Sequence, residues 1–111
     1  MKHLVLAFLA FALPAAAITP QAEEFIEVMK KLEPVQCEKR QLRRQIALAH
    51  AEQRAGDAKE LQERFAKLNR DPATTKLEKR LAELEKKISR SDSKDMEAIS
   101  FQHRQAFYRC E

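Results

Sequence analysis

Hydrophobic residues recur along most of the chain at the spacing of a helix face, with charged residues between them. Leu42, Ile46 and Ala49 are separated by four and three positions, so they share one side of a helix. Similar spacing occurs in 25–32, 61–68, 77–88 and 96–110. In the third of these segments it becomes a heptad-like seam, formed by Leu77, Leu81, Leu84 and Ile88. The pattern predicts an all-α protein with coiled-coil character.

The start of the chain departs from this pattern. Lys2 and His3 precede an unbroken apolar run over 4–13, which ends at Pro14 and is followed by three alanines. A basic start, an apolar stretch and small residues at a cleavage site are typical of a secretory signal peptide. We therefore expect residues 1–17 to be a cleavable signal peptide that is cut after Ala17.

The alternative interpretation of this segment is a membrane anchor. As a helix, residues 4–18 would extend about 22 Å, whereas the hydrocarbon core of a bilayer is about 30 Å thick. No second apolar stretch of this kind follows. The sequence thus predicts a periplasmic or secreted protein without a membrane span after signal cleavage.

Prolines and cap residues divide the remaining chain. Thr19 followed by Pro20 is a favourable helix start, and Pro34 is expected to end that helix. The predicted organisation is a short N-terminal helix over 18–34 and a helical hairpin or bundle domain over 35–111.

Three further breaks are expected inside that domain. Gly56 suits the position after a helix end, and Asp71-Pro72 is the strongest turn signal. Thr75 and Glu78 match a capping box for the helix that follows. A polar stretch over 89–95 indicates a last interruption.

Cys37 and Cys110 are the only two cysteines, and in an exported chain an even pair favours a disulfide. Their midpoint falls just after Pro72, and Gly56 mirrors Ser91 about that point. Folding back at Pro72 gives a disulfide-stapled antiparallel helical hairpin. Further folds at Gly56 and Ser91 give a small up-down four-helix bundle. Two free thiols, or a bond between two chains, are the alternatives.

Motifs for catalysis are missing from the sequence. A single glycine excludes phosphate-binding glycine loops, and no HExxH, CxxC or GxSxG pattern occurs. His50 and His103 do not make up a metal-ligand set. We therefore expect no enzyme, no cofactor and no metal site.

Charge adds little to this picture. The net charge of the chain is +4, which supports solubility more than nucleic-acid binding. If the first helix packs over the open end, it covers the disulfide and the aromatic residues near the C-terminus, which are then ordinary core. If instead two helices cannot bury them all, the candidate contacts for a partner are these aromatic residues and a basic cluster. These residues are Arg40, Arg43, Arg44, Phe101, Phe107 and Tyr108.

Several positions in the first half resemble a known family. The run Cys37-Glu-Lys-Arg, Gln45-Ile46, Ala49 and Ala55-Gly56-Asp57 is similar to the small proteobacterial periplasmic domain-of-unknown-function family ten-ninety. The resemblance covers residues 37–70 and implies a signal peptide, charged helices and a periplasmic location. The second cysteine of the family would fall near 69–71, where this chain has none.

These observations favour an exported, non-enzymatic helical protein that binds another protein or itself. The main hypothesis is a periplasmic binding or chaperone-like module. One alternative is a structural coiled coil of the envelope that self-associates, as a homodimer for example, through the 77–88 seam. A small secreted inhibitor or effector is the other.

Overall fold

The computed structural model describes residues 18–110, and this part of the chain is built from helices alone. The all-α prediction is confirmed. The expected signal peptide over 1–17 lies outside the described residues. The four helices are α1 Pro20–Ala51, α2 Ala55–Arg70, α3 Pro72–Glu85 and α4 Ser93–Arg109.

Helix α1 is the central helix, against which the other helices pack. It has 32 residues, about 48 Å at 1.5 Å per residue. Its start is the predicted one, because the Thr19 side chain caps it by accepting a hydrogen bond from the Ala22 N–H at 3.2 Å.

The helix end predicted at Pro34 is wrong, since α1 passes through this proline without interruption. Proline in a helix interior removes one hydrogen bond and clashes with the preceding turn, at a cost of about 3 kcal/mol. Buried leucines on both sides, Leu32 and Leu42, are 0% and 2% exposed. Packing along the whole of α1 offsets the local cost, so the short helix 18–34 is the first half of a longer one.

The chain reverses for the first time at 52–54. Gln53 has a positive φ of 58°. Its N–H donates to the His50 carbonyl at 3.1 Å, and the Arg54 N–H donates to the Ala49 carbonyl at 2.8 Å. This is the Schellman pattern of helix termination. The predicted role of Gly56 at this step is wrong, because Gly56 lies inside α2 with φ below zero.

Helices α2 and α3 form one return arm that runs antiparallel to α1. Along this arm, Phe65 lies beside Arg43, Glu78 beside Lys39 and Arg80 beside Glu24. Positions later in the arm thus meet positions earlier in α1. The fold-back predicted at Pro72 is therefore wrong.

The break between α2 and α3 changes the local backbone without reversing the chain. The Asp71 carboxylate caps α3 by accepting from the N–H and the hydroxyl of Thr74, both at 2.9 Å. Pro72 occupies the first position of the helix, where a missing N–H costs nothing. The helix begins here, so the predicted capping box of Thr75 and Glu78 is not its start.

The second reversal occupies residues 86–92, where a break was predicted, and α4 then runs parallel to α1. Asp95 meets Thr19, and further along Arg109 meets Glu33. Helices α3 and α4 both pack on α1 but not on each other. The result is an up-down-up arrangement in which α3 and α4 pack on the first half of α1 and α2 packs on its second half. The predicted small up-down bundle is confirmed in this form.

The apolar core is small and centred on α1. Val28 and Leu32 pack with Leu84, and Phe25, Leu77 and Leu81 adjoin them. The heptad-like seam of α3 is thus directed at α1 of the same chain. The buried hydrophobic residues of the described part are Ala22, Val28, Leu32, Leu42, Ala49, Ala58 and Leu84.

The predicted disulfide between Cys37 and Cys110 is confirmed, and it lies within one chain. The two Cα atoms are 5.4 Å apart. It joins the end of α4 to the middle of α1. Among residues 18–110, none of the helices combines the length and hydrophobicity that crossing a bilayer requires.

Candidate functional site

Helix α4 is fastened to α1 at its first turn. Asp92 caps the helix by accepting from the Asp95 N–H at 3.1 Å. The Asp95 carboxylate, only 1% exposed, accepts from the Thr19 N–H at 2.9 Å and from the Thr19 hydroxyl at 2.6 Å. A buried carboxylate is thereby satisfied by the residue that caps α1.

The last turn of α4 is fastened by an ion pair and by the disulfide. Arg109 donates to both oxygens of Glu33, at 2.9 Å and 2.7 Å, in the bidentate geometry that suits guanidinium and carboxylate. Hydrogen bonding from Arg109 holds the pKa of Glu33 below its ordinary value, against the opposing effect of desolvation. With both ends held, α4 presents a rigid outer surface.

Three aromatic side chains lie on that outer surface. Phe101, Phe107 and Tyr108 are 57%, 56% and 75% exposed, although exposed rings are costly in water. The interpretation of these rings as ordinary core is therefore wrong. Phe101 and Tyr108 are seven positions apart, so they share one flank of the helix. Phe107 lies on the other flank, and its ring meets that of Tyr108 edge to face, with centroids 5.7 Å apart.

The flank with Phe101 borders a groove between α1 and α4. The groove has a volume of about 530 Å³, within the range of small-ligand sites. Its apolar lining comes from Ile18, Ile26, Ala98 and Phe101. The polar residues lining it are Lys30, Lys94, Glu97, Gln102 and Arg104.

The predicted basic cluster is divided by the fold. The Arg40 guanidinium lies over the Phe107 ring, 4.8 Å from its centroid, and one of its nitrogens is enclosed without a hydrogen-bond partner among residues 18–110. Arg43 lies over Phe65 at 5.2 Å. Arg44 is exposed. These arginines therefore do not form one site, and two of them are held by aromatic rings of their own chain.

A second hollow lies on the opposite flank of α4, where α3 and α4 diverge. It has a volume of about 210 Å³, and its apolar lining comes from Phe25, Ile88, Met96 and Ile99. Glu85 and Arg90 complete it, one charge of each sign. It is smaller than the groove beside Phe101 and has no excess of either charge.

Sequence reasoning identified Phe101 but missed the residues that surround it. Lys30 and Arg104 are separated by most of the chain, and no periodicity in the sequence links them. They meet only because α4 runs parallel to α1. Within residues 18–110, His, Cys, Asp and Glu side chains form no group of three that could hold a metal ion.

The fold and this surface define a class of protein: a disulfide-stapled, all-α bundle with exposed aromatic residues on a helix that is fixed at both ends. No protein-family model, curated protein or solved structure matches the chain. The resemblance to the periplasmic family stays a prediction.

Proposed function

We propose that this chain is an exported, non-enzymatic binding module that shields apolar segments of other proteins in the cell envelope. The observation that carries the proposal is the exposure of Phe101, Phe107 and Tyr108, each by more than half, on one rigid helix. Exposed apolar patches of this kind mark interaction surfaces. Aromatic side chains contribute strongly to the binding energy at such surfaces.

The small core supports this interpretation. Three of the seven buried hydrophobic residues within 18–110 are alanines, so this part of the chain buries few large side chains. At the same time several large hydrophobic side chains are exposed to solvent. Because the disulfide and the ion pairs also hold the fold together, the aromatic rings of α4 are available for another protein.

Export is supported by two independent features. The first 17 residues have the pattern of a signal peptide, and the chain carries a disulfide between Cys37 and Cys110. Disulfides persist in the periplasm and outside the cell, whereas the cytosol keeps thiols reduced. Both features agree with a periplasmic or secreted location.

The alternative of a self-associating coiled coil has less support. It depends on the 77–88 seam, and Leu84 of that seam is 1% exposed and packs on Val28 and Leu32. A second copy could not use this seam without displacing α1. An inhibitor or effector role has no specific observation in its favour.

Suppression of aggregation tests the proposal. The full chain is expressed, purified as the cell processes it, and mixed with a test protein whose disulfides are being reduced, while light scattering is recorded. Because the added reductant would also attack Cys37–Cys110, a second test protein that aggregates on heating is used in parallel. We expect scattering to fall at stoichiometric amounts.

A triple variant separates surface binding from a general protein effect. Replacing Phe101, Phe107 and Tyr108 by serine is expected to abolish the suppression while circular dichroism stays helical. The matched control replaces three other exposed polar residues by serine, namely Lys79 of α3 and His103 and Gln105 of α4. No suppression by the unmodified protein at stoichiometric excess would refute the proposal.

A further inference from the structure

The two flanks of α4 carry equally exposed phenylalanines in different surroundings. Phe101 is 57% exposed and Phe107 is 56% exposed. Phe107 is partly covered by the guanidinium of Arg40. Phe101 instead lines the open groove between α1 and α4, with Ile26 and Ala98 as neighbours. Of these two phenylalanines, Phe101 is therefore the one that adjoins a concave apolar surface.

The charges of this groove are unbalanced. Lys94 and Arg104 line it, and neither forms an ion pair with any residue of 18–110. Lys30 is paired with Glu27, at 3.7 Å. Glu97 is the one acidic residue of the lining. By contrast, three other arginines, Arg54, Arg80 and Arg109, are all paired with carboxylates.

The dimensions of the groove indicate the size of its occupant. Lys94 and Arg104 are ten positions apart on α4, which corresponds to about 15 Å, or nearly three helical turns. A groove beside a helix of this length suits the apolar face of a short amphipathic segment. Cations at both ends favour a segment with carboxylates on either side of its apolar residues.

We propose that the groove binds a short acidic amphipathic segment of a client polypeptide. The apolar side chains of the segment would pack on Ile26, Ala98 and Phe101, and its carboxylates would pair with Lys94 and Arg104. This inference rests on the proposed function of client binding and names the chemistry of the client. Arg40 and Phe107 lie outside the lining of this groove.

Binding is measured by fluorescence anisotropy with three labelled peptides of about three helical turns. One combines leucine with glutamate on an amphipathic pattern. The second has lysine in place of glutamate, and the third has serine in place of leucine. We expect the first peptide to bind and the other two to bind at least about tenfold more weakly. A tenfold difference in affinity corresponds to about 1.4 kcal/mol of binding free energy.

Variants inside and outside the groove test the position of the site. Phe101→Ser is expected to weaken binding of the acidic peptide at least about tenfold, the loss typical of an aromatic anchor. The matched control Leu48→Ser, at a residue outside the groove that is 54% exposed, is expected to leave binding unchanged within about twofold. Arg104→Glu is expected to weaken the acidic peptide and to strengthen the lysine peptide. Because all three residues are exposed, the fold is expected to be retained, as circular dichroism would check.

The outcomes separate this inference from the proposed function. Equal losses of peptide binding for Phe101→Ser and Leu48→Ser, or no change in charge preference for Arg104→Glu, would overturn it. So would a dimer in sedimentation that Phe101→Ser dissociates, since a second copy would then occupy the groove. If the Phe101→Ser variant still suppresses aggregation, the groove is not the client site, and only the further inference is overturned. Peptide binding without any suppression would support the groove and refute the chaperone-like role.

Discussion

Thr19 and Asp95 are 76 positions apart in the chain, and the Asp95 carboxylate accepts hydrogen bonds from both the N–H and the hydroxyl of Thr19. The same hydroxyl accepts from the Ala22 N–H. One threonine therefore caps α1 and fastens the first turn of α4 to it. The outer surface of α4 depends on this contact and on the disulfide at the other end of the helix.

Asp95→Ala tests the contact directly. Alanine offers no acceptor to the N–H and the hydroxyl of Thr19, and the site is buried. We expect the free energy of unfolding to fall by about 1–3 kcal/mol, the cost of an unsatisfied buried group. Urea unfolding measures it. Glu97→Gln, exposed on the same helix, serves as control and is expected to change stability by less than about 0.5 kcal/mol.

The disulfide is tested by replacing Cys37 and Cys110 with serine together. Loss of a bridge with a sequence separation of 73 is expected to lower stability by about 2–4 kcal/mol. Hydrogen exchange is expected to increase in α4 and to stay unchanged in α2, which packs on the far half of α1. Alkylation of both thiols in the unmodified protein under native, non-reducing conditions would contradict the bridge.

Glu33 makes the stability depend on pH. Its pKa is lowered in the folded state, mainly by hydrogen bonding from Arg109. The stabilisation is therefore present in full above the unfolded-state pKa of about 4.3 and is lost as the pH falls through the lower folded-state value. In urea unfolding over a pH series, Glu33→Gln is expected to flatten the acid side of the profile. A residual slope is expected from Glu24, whose pKa is lowered by hydrogen bonding from Arg80.

Two substitutions test the first chain reversal, and both are expected to stabilise the folded protein. Gln53→Gly relieves a positive φ of 58°, a conformation that costs other residues roughly 1–2 kcal/mol. Gly56→Ala adds a methyl group that meets nothing within 4 Å in a helix, where alanine is favoured by about 1 kcal/mol. Both are expected to raise the thermal unfolding midpoint. A helix that ended at Gly56 would be destabilised by the alanine.

Leu84→Ala tests whether the α3 seam is internal. Leu84 is 1% exposed, and truncating a buried leucine costs about 2–5 kcal/mol. Leu48→Ala is the control, since Leu48 is 54% exposed and is expected to cost well under half as much. Equal losses of unfolding free energy for the two variants, measured by urea unfolding, would contradict the packing of α3 on α1.

The prolines and the glycine show which structural features local sequence signals predict correctly in this chain and which they do not. Thr19 and Pro20 marked a helix start correctly, because capping involves only neighbouring residues. Pro34 marked a helix end wrongly, because its local cost is offset by leucines that pack on other helices. Gly56 was placed near the first reversal, but Gln53 adopts the positive φ instead.

The sequence by itself determined that the chain is helical, where α1 begins, and that its two cysteines are joined. The helical character and the start of α1 follow from residue spacing and caps, which involve only neighbouring residues. The disulfide follows from the number of cysteines, since the chain has only two. The tertiary structure decided that the chain reverses at Gln53 rather than Pro72, and that α4 returns parallel to α1. That choice depends on which apolar faces pack together, and several helices of similar amphipathic pattern could pair in more than one order. The groove between Lys30 and Arg104 exists only as a consequence of the order adopted.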